Sequence, residues 1–462
     1  MKAPLQYRIF RLAIRAVLKL YYSSIESYGT QFIPKRGRTL FVGNHQAGLI
    51  DGILILGSLD QVIRTVIKHT LWKEPIVGFF ASGLGMIPVY RRQDLSENEI
   101  KATNSKERNK KSFEAVEKAF RAGESCLIFP EGISHDKPQL QTLKSGAARM
   151  LLETDASQDF RLGLQWSPVS IDLEIKDRPG HRALLHYHPA RKIEKYRELY
   201  SQDPEKAIHD LRDEMQAYME EITLNFASWE DRAFLERLTE IWLAKSPAEF
   251  LLDRHNQLIK WKRVLENSST LPEEKKEWAD LRKSVEELAT SLETVGIKPK
   301  EVLERQKEGR RRLFAQTSLN MSLWAPLIGY GTVFWYLPLR FVKFASVKGS
   351  QGHRDVTSTY HIVASLVLFP IWLVVASIAS YFLLGKLITL GMLIFSIASG
   401  LSLLTSARKI RVKFRNLINM YRYSGLSEFL DDKEKEIIQI WSAAARIWNQ
   451  ALRKQVDFED LR

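Results

Sequence analysis

A histidine and an aspartate lie six positions apart in a short apolar segment, directly after the strand-like run 39–42. A histidine oriented by a carboxylate can accept a proton from an alcohol near neutral pH. On a regular helix His45 and Asp51 would point about 120° apart, and on a strand they would lie about 20 Å apart. Only a turn brings them together, and Gly48 is where the backbone can fold back. The alternative is an ordinary capping or core histidine.

The elements that must position this pair belong to an α/β domain, predicted over residues 30–202. Short apolar runs alternate there with helical patterns, which is typical of a sheet flanked by helices. The predicted strands are 39–42, 62–68, 86–90, 125–129, 162–173 (broken at Pro168) and 182–187. The predicted helices are 49–57, 72–82, 104–122 and 145–153.

Cationic side chains occur at two further places in this domain. Arg91 and Arg92 end the strand 86–90, where an arginine fork suits a phosphate because it donates two parallel charge-assisted hydrogen bonds. The alternative is a solvated strand terminus. Lys144 opens the helix 145–153, whose free N–H groups and positive end favour an anion.

A carboxylate follows the apolar strand 125–129. Glu131 lies between Pro130 and Gly132, in a rigid turn, where it could bind substrate hydroxyls or orient a cation. The next polar pair, His135 and Asp136, is a rival dyad. Adjacent residues seldom face each other, so we interpret this pair as structural or as a support for Glu131.

Taken in order, four segments resemble the blocks of the glycerophospholipid acyltransferase (PlsC-like) family. Those blocks read Asn-His-x4-Asp, Gly-x-Ile-x-x-x-Arg, Phe-Pro-Glu-Gly and a Val/Ile-Pro strand. The corresponding segments here begin at Asn44, Gly85, Phe129 and Trp166. The resemblance covers about residues 30–190 and implies a mixed β-sheet flanked by helices.

The resemblance also implies roles for particular residues. His45 would be the general base and Asp51 its orienting partner. Arg91 and Lys144 would hold a glycerol phosphate, while Glu131 and Gly132 would line the acceptor site. No metal or cofactor is expected, with acyl-CoA or acyl-carrier protein as co-substrate.

Two departures from the blocks favour one branch of the family. Five residues, not four, separate His45 from Asp51, and the third block continues as Gly-Ile-Ser-His-Asp (132–136). Both features are similar to the branch that acylates glycerol-3-phosphate or dihydroxyacetone phosphate. The runner-up is a 1-acylglycerol-3-phosphate or other lysophospholipid acyltransferase. An alternative of another class is a non-catalytic, membrane-anchored interaction protein that uses residues 203–318 as its working surface.

The residues offer little for a covalent mechanism. The chain has no Gly-x-Ser-x-Gly elbow, and its single cysteine, Cys126, lies inside a predicted strand, so a serine or cysteine nucleophile is not expected. One cysteine also excludes a disulfide within the chain and a paired-cysteine zinc site.

Charge and hydropathy indicate a membrane protein. The net charge of +14 is spread along 462 residues that also carry long apolar runs, which favours an anionic membrane surface over nucleic acid as the partner. Residues 1–29 are predicted to form an amphipathic membrane-surface helix, with Arg8, Arg11, Arg15 and Lys19 as a cationic stripe.

The C-terminal half is divided into three parts. Residues 203–318 form a charged helical region, 319–415 the membrane region, and 416–462 a cytoplasmic helical tail. Within the membrane region, 360–384 and 387–406 are long and apolar enough to cross a bilayer, while prolines and glycines make 323–339 re-entrant. Basic residues at both outer ends predict a multi-pass protein with its catalytic domain facing the cytoplasm.

Overall fold

The structure is a computed structural model that describes residues 3–34, 38–90, 105–245, 250–268, 271–304, 326–405 and 426–453. The chain divides into two compact units. The first comprises Met1–Thr223 and Arg340–Pro370, and the second comprises Leu224–Leu339 and Ile371–Arg462.

The first unit is built on one mixed sheet of eight strands in the order β1-β7-β6-β2-β5-β3-β4, with β8 also paired to β6. The strands are β1 Ser24–Tyr28, β2 Thr39–Gly43, β3 Ile63–Lys68, β4 Ile87–Val89, β5 Ser125–Ile128, β6 Gln165–Leu173, β7 Arg182–Tyr187 and β8 Arg191–Lys192. Only β6 pairs antiparallel, with β7 and β8, and the other neighbours are parallel. The predicted mixed sheet flanked by helices is therefore confirmed.

Pro168 does not break its strand, contrary to the sequence prediction. On one edge β6 pairs with β8 at Gln165 and Trp166 and with β7 only from Val169 onward. Pro168 falls at the change of partner, where a missing N–H disrupts no ladder. Its carbonyl still accepts a hydrogen bond from the His188 amide at 3.0 Å.

Both faces of the central strands β2 and β5 carry apolar residues, as expected for parallel strands inside a sheet that is covered on both sides. Phe41 contributes to one core cluster, and its neighbours Leu40 and Val42 contribute to the other. The first cluster is covered by α1 Leu5–Tyr21, α2 Leu49–Ser58 and α3 Pro75–Leu84. The second is covered by α4 Ser105–Arg121, α5 Gly146–Ala156, α6 Arg197–Gln202 and α7 Pro204–Ile222. The helix α7 belongs to this core, and the first unit includes the chain up to Thr223.

The cationic stripe predicted on α1 only partly faces outward. Arg15 donates to the Gly57 carbonyl at 2.7 Å and to Asp60 at 2.9 Å, and Arg11 also donates to the Asp60 carbonyl. These arginines therefore cap the C-terminal end of α2, where a cation is favoured. Arg8 and Lys19 are exposed. The exposed positions of α1 also include Leu5, Ile9 and Leu12, all more than half exposed.

The second unit is helical. Its helices in the charged region are α8 Trp229–Leu243, α9 Leu251–Ser268, α10 Pro272–Val295 and α11 Pro299–Glu304. They share a hydrophobic core with the tail helix α16 Leu426–Arg453, and that core includes the fully buried Trp261.

The remaining helices carry the apolar segments. Residues 326–334 form α12, a turn at Trp335 follows, and α13 spans Tyr336–Ser350. The helices α14 Arg354–Leu384 and α15 Lys386–Thr405 are separated by Gly385 alone, and both are long and apolar enough to cross a membrane by length and composition. The re-entrant path of 323–339 stays a prediction, and the basic flank 408–415 lies outside the described residues.

We predict that Phe41→Ala lowers the free energy of unfolding by about 3–5 kcal/mol, because it opens a cavity in the core. The Phe41 side chain is fully buried and contacts Tyr187 edge-on at 6.2 Å between ring centroids. The control is Phe79→Ala at a position that is 66% exposed. Thermal unfolding of the detergent-solubilised chain measures both, and equal shifts in the two variants would contradict the assignment of Phe41 to the core.

Candidate active site

The structure brings His45 and Asp51 together across the turn between β2 and α2. His45 Nδ1 lies 2.9 Å from Asp51 Oδ2, which also accepts a hydrogen bond from the Ala47 amide at 2.8 Å. Gly48 has φ +57° and ψ −127°, a conformation that residues other than glycine rarely adopt. This turn explains how six residues can join two side chains that no regular element would bring together.

The environment of the pair suits a proton acceptor. The Asp51 side chain is fully buried, whereas that of His45 is 19% exposed. With Nδ1 donating to a carboxylate, the neutral imidazole carries its free lone pair on Nε2. The ring stacks on Phe129 with centroids 4.4 Å apart and planes 13° apart, which fixes its orientation.

Asn44, the residue before His45, has a structural role that the sequence analysis did not predict. The Asn44 side chain is 2% exposed and forms two hydrogen bonds with the Ile171 backbone, at 3.0 Å to the carbonyl and 2.8 Å from the amide. Its amide therefore continues the pairing of β2 with β6 beyond the strand end. That contact fixes the point at which the chain leaves the sheet for the His45 turn.

Glu131 reaches the same turn from β5. Its carboxylate accepts hydrogen bonds from the His45 amide at 2.6 Å and the Gln141 amide at 2.7 Å, and His135 Nε2 lies 2.6 Å away. The Glu131 side chain is fully buried, and these three partners occupy both of its oxygens. The structure therefore pairs this carboxylate with groups of the protein's own loops, and its expected role of binding substrate hydroxyls or orienting a cation stays a prediction.

Gly132 and Lys144 lie side by side next to this loop. A Cβ on Gly132 would lie 3.2 Å from Lys144 Cδ and 3.4 Å from its Nζ, and Gly132 has φ +75°. The Lys144 amide donates to the Pro130 carbonyl at 2.8 Å, which holds the lysine just before α5. An exposed ammonium group beside the start of a helix is an arrangement that favours an anion, and the contact of Lys144 with a phosphate stays a prediction.

The rival dyad separates, as the sequence interpretation expected. His135 faces Glu131, whereas Asp136 pairs with Lys176 Nζ at 2.5 Å. Lys176 also donates to the carbonyls of Gln46 and His135, both at 3.3 Å, so one ammonium group joins the two loops of the site. No local sequence pattern indicates a role for Lys176, and Arg91 lies outside the described residues.

Cys126 is fully buried in β5. Burial raises the pKa of its thiol well above the ordinary value because the thiolate would be desolvated. The thiol therefore stays protonated near neutral pH, and it is a core side chain that lacks the properties of a nucleophile.

Residues 24–171 match the family model described as Acyltransferase. The chain carries an acyltransferase domain. This match begins at β1 and ends in β6, so it includes the His45 turn and the Glu131 loop. The chain is accordingly an enzyme that transfers acyl groups.

Curated relatives carry matching names. The chain is 26% identical over 215 residues to a 1-acyl-sn-glycerol-3-phosphate acyltransferase of Borreliella burgdorferi, a match that covers 45% of this chain and 77% of that protein. It is 22% identical over 298 residues to Glycerol-3-phosphate O-acyltransferase 2 of Saccharomyces cerevisiae, covering 60% of this chain but only 39% of the yeast protein. A solved structure, the PlsC acyltransferase of Thermotoga maritima, matches 45% of this chain and 78% of its own at 20% identity, with a TM-score of 0.30.

We predict that Asp51→Asn lowers kcat by about 10²–10⁴-fold, even though the side chain keeps its size. Asp51 Oδ2 contacts both the Ala47 amide and His45 Nδ1. An asparagine oxygen at that position still accepts both protons but carries no negative charge to stabilise the imidazolium, and an NH2 group there would force the ring proton to Nε2, where it blocks proton acceptance. Steady-state rates with a labelled acyl thioester measure the effect. A variant that is fully active would show that proton transfer does not need the carboxylate.

We also predict that the acyltransferase resists maleimide. At neutral pH the native chain should incorporate no label at Cys126 and lose no activity, whereas the denatured chain should incorporate one label, because unfolding restores an ordinary thiol pKa. Mass spectrometry counts the labels. Rapid inactivation coupled to labelling of native protein would contradict the buried position of Cys126.

Proposed function

We propose that the chain is a membrane-bound O-acyltransferase of glycerolipid synthesis that moves a fatty acyl group from acyl-CoA or acyl-carrier protein to glycerol-3-phosphate or dihydroxyacetone phosphate. The observation that carries the proposal is the His45–Asp51 pair in an acyltransferase domain, with Nδ1 engaged by Asp51 at 2.9 Å and Nε2 left to act as the base.

In the proposed reaction the acceptor hydroxyl attacks the thioester carbonyl carbon. A carbon–oxygen bond forms while His45 Nε2 takes the hydroxyl proton, and Asp51 stabilises the imidazolium that results. The carbon–sulfur bond then breaks, and the imidazolium returns the proton to the departing thiolate. The products are an ester and a free thiol, and no acyl-enzyme intermediate is required.

A phosphate on the acceptor fits the cationic side of the site. Lys144 beside Gly132, and the start of α5, offer charge and backbone N–H groups. Arg91 is proposed as the second phosphate ligand on the family resemblance alone. Glu131 would stabilise the site by accepting a hydrogen bond from the His45 amide. Gly132, which has no side chain, would leave space beside Lys144.

Two observations support a glycerol phosphate acceptor. The third block continues as Ile133, Ser134, His135 and Asp136, the pattern of the branch that acylates such acceptors. The match to the yeast enzyme named for glycerol-3-phosphate also extends over 298 residues, well beyond the acyltransferase domain. The Borreliella relative favours a 1-acylglycerol-3-phosphate acceptor as the second candidate.

Membrane association is the remaining part of the proposal. The two apolar helices α14 and α15 would cross the bilayer as a hairpin, with the catalytic domain on the cytoplasmic side. The apolar face of α1, formed by Leu5, Ile9 and Leu12, would lie on the same leaflet.

A panel of acceptors tests the proposal. The purified full chain in vesicles would receive radiolabelled acyl-CoA or acyl-carrier protein together with glycerol-3-phosphate, dihydroxyacetone phosphate, lysophosphatidate or lysophosphatidylcholine. We predict that kcat/KM for a glycerol phosphate acceptor exceeds that for lysophosphatidate, and that His45→Ala lowers kcat by about 10²–10⁴-fold.

Each other outcome has a distinct meaning. A preference for lysophosphatidate would replace our acceptor with the second candidate. If no acceptor is acylated and His45→Ala leaves cellular function intact, the chain acts as a membrane-anchored interaction protein on an acyltransferase fold.

A further inference from the structure

The first turn of the long apolar helix α14 lies against the active-site loops of the same compact unit. Residues 354–359 contact the His45 turn, the loop after β5, the loop between β6 and β7, and α1. These residues precede the uncharged stretch that begins at Tyr360. The acyltransferase domain match ends at residue 171, so this turn lies outside the matched domain.

The turn packs directly on Gly48. A Cβ on Gly48 would lie 3.3 Å from the Asp355 carbonyl oxygen, 3.4 Å from Thr359 Oγ1 and 3.4 Å from Val356 Cγ1. Gly48 is the residue whose positive φ closes the turn between His45 and Asp51. The backbone of α14 therefore forms one wall of the turn that creates the catalytic pair.

Asp355 connects this wall to the second loop. Its side chain is largely buried, at 8% exposed, and Oδ2 accepts a hydrogen bond from Ser134 Oγ at 2.6 Å. Ser134 directly precedes His135, whose ring faces Glu131, and Glu131 in turn accepts from the His45 amide. A chain of contacts thus leads from α14 to the backbone of the proposed base.

Ionic contacts add to this attachment. Arg354 lies 3.0 Å from Asp177 and 3.7 Å from Asp136, and Asp136 is also the partner of Lys176. Ser358 donates to the Lys176 carbonyl and accepts from the Tyr21 hydroxyl at 2.7 Å. Burial raises the pKa of Tyr21 to about 12, so that hydroxyl remains a donor at neutral pH.

We propose that Asp355 is a positioning residue for acyl transfer. Through Ser134 it holds the loop that carries Glu131 and His135, and it thereby fixes the backbone of His45. The first turn of α14 is consequently a working part of the acyltransferase site, and the helix does more than anchor the chain. This inference concerns the acyl-transfer step whatever the acceptor, so it does not depend on the choice between glycerol phosphate and lysophosphatidate.

A simpler role would be stabilisation of the helix N-terminus by a carboxylate in its first turn. That role needs no partner in the catalytic domain, and it predicts no coupling between Asp355 and Ser134. The two roles therefore differ in a measurable way.

The experiment compares Asp355→Ala, Asp355→Asn, Ser134→Ala and the double alanine variant, with Thr357→Ala as the matched control. Thr357 lies on the same turn, and its hydroxyl donates to the His353 carbonyl of its own segment at 2.9 Å. Steady-state kinetics use the full chain in vesicles with whichever acceptor the unaltered chain acylates fastest. Hydrogen exchange of residues 130–137 is measured in the same samples without any acceptor.

We expect kcat to fall about 100-fold in Asp355→Ala, the loss typical of a misplaced catalytic group, with KM for the acyl thioester unchanged. Asp355→Asn should stay within about tenfold of the unaltered chain, because its amide oxygen can still accept from Ser134. The double variant should match Asp355→Ala within about twofold, which shows that the two residues act as one unit. Exchange of residues 130–137 should quicken in Asp355→Ala and not in Thr357→Ala.

Three kinetic results would overturn the proposal: an unchanged kcat in Asp355→Ala, an equal loss in Thr357→Ala, or fully additive losses from Asp355→Ala and Ser134→Ala. Unchanged exchange of residues 130–137 in Asp355→Ala would also overturn it, and that measurement needs no substrate. Activity with an acceptor other than a glycerol phosphate would contradict the proposed function and leave this test intact.

Discussion

His45 is held at two points by two fully buried carboxylates, and the geometry of the site depends on that arrangement. Asp51 fixes the ring through Nδ1, and Glu131 fixes the backbone through the amide nitrogen. A buried carboxylate is stable only when it is supplied with donors. The Ala47 amide, the Gln141 amide and His135 supply them here, so the surrounding loops are held in place by the need to satisfy those charges.

The sheet brings His45 and Glu131 to the same edge. Strands β2 and β5 are parallel neighbours, with Val42 beside Ile128, so their carboxyl ends lie at one edge. The chain then leaves β2 toward His45 and leaves β5 toward Glu131. On the other side of β2, Asn44 pairs with the Ile171 backbone of β6. His45 is thus positioned relative to three adjacent strands.

Local patterns in the sequence are sufficient to predict the turn at His45 and most of the strands. The spacing of His45 and Asp51 required a turn, and the apolar runs located the main strands to within a few residues. The polar β1 and the two-residue β8 were not predicted, since neither carries an apolar run. Pro168 was interpreted as a break because local chemistry could not show that β6 changes partner at that position.

The contacts that sequence reasoning missed are those made over long distances along the chain. Lys176 bonds carbonyls of loops 41 and 130 residues away, and Asp355 bonds Ser134 across 221 residues. A lone lysine or aspartate has no periodicity that indicates such a partner. Likewise, the sequence predicts a lipid-facing stripe from the arginines of α1. The residues of α1 alone do not show that Arg11 and Arg15 form hydrogen bonds at the end of α2.

The continuous helix α14 also sets the distance between the His45 turn and the apolar part of the helix. Asp355 and Tyr360 are five residues apart, so the helix turn that packs against the loop of His45 and Asp51 lies about 8 Å along the helix axis from the start of the uncharged stretch. In the proposed membrane arrangement, that distance is comparable to the thickness of one layer of lipid headgroups. In that arrangement the acyl chain of the donor would stay among the lipid tails, and only its thioester group would reach His45, the proposed base.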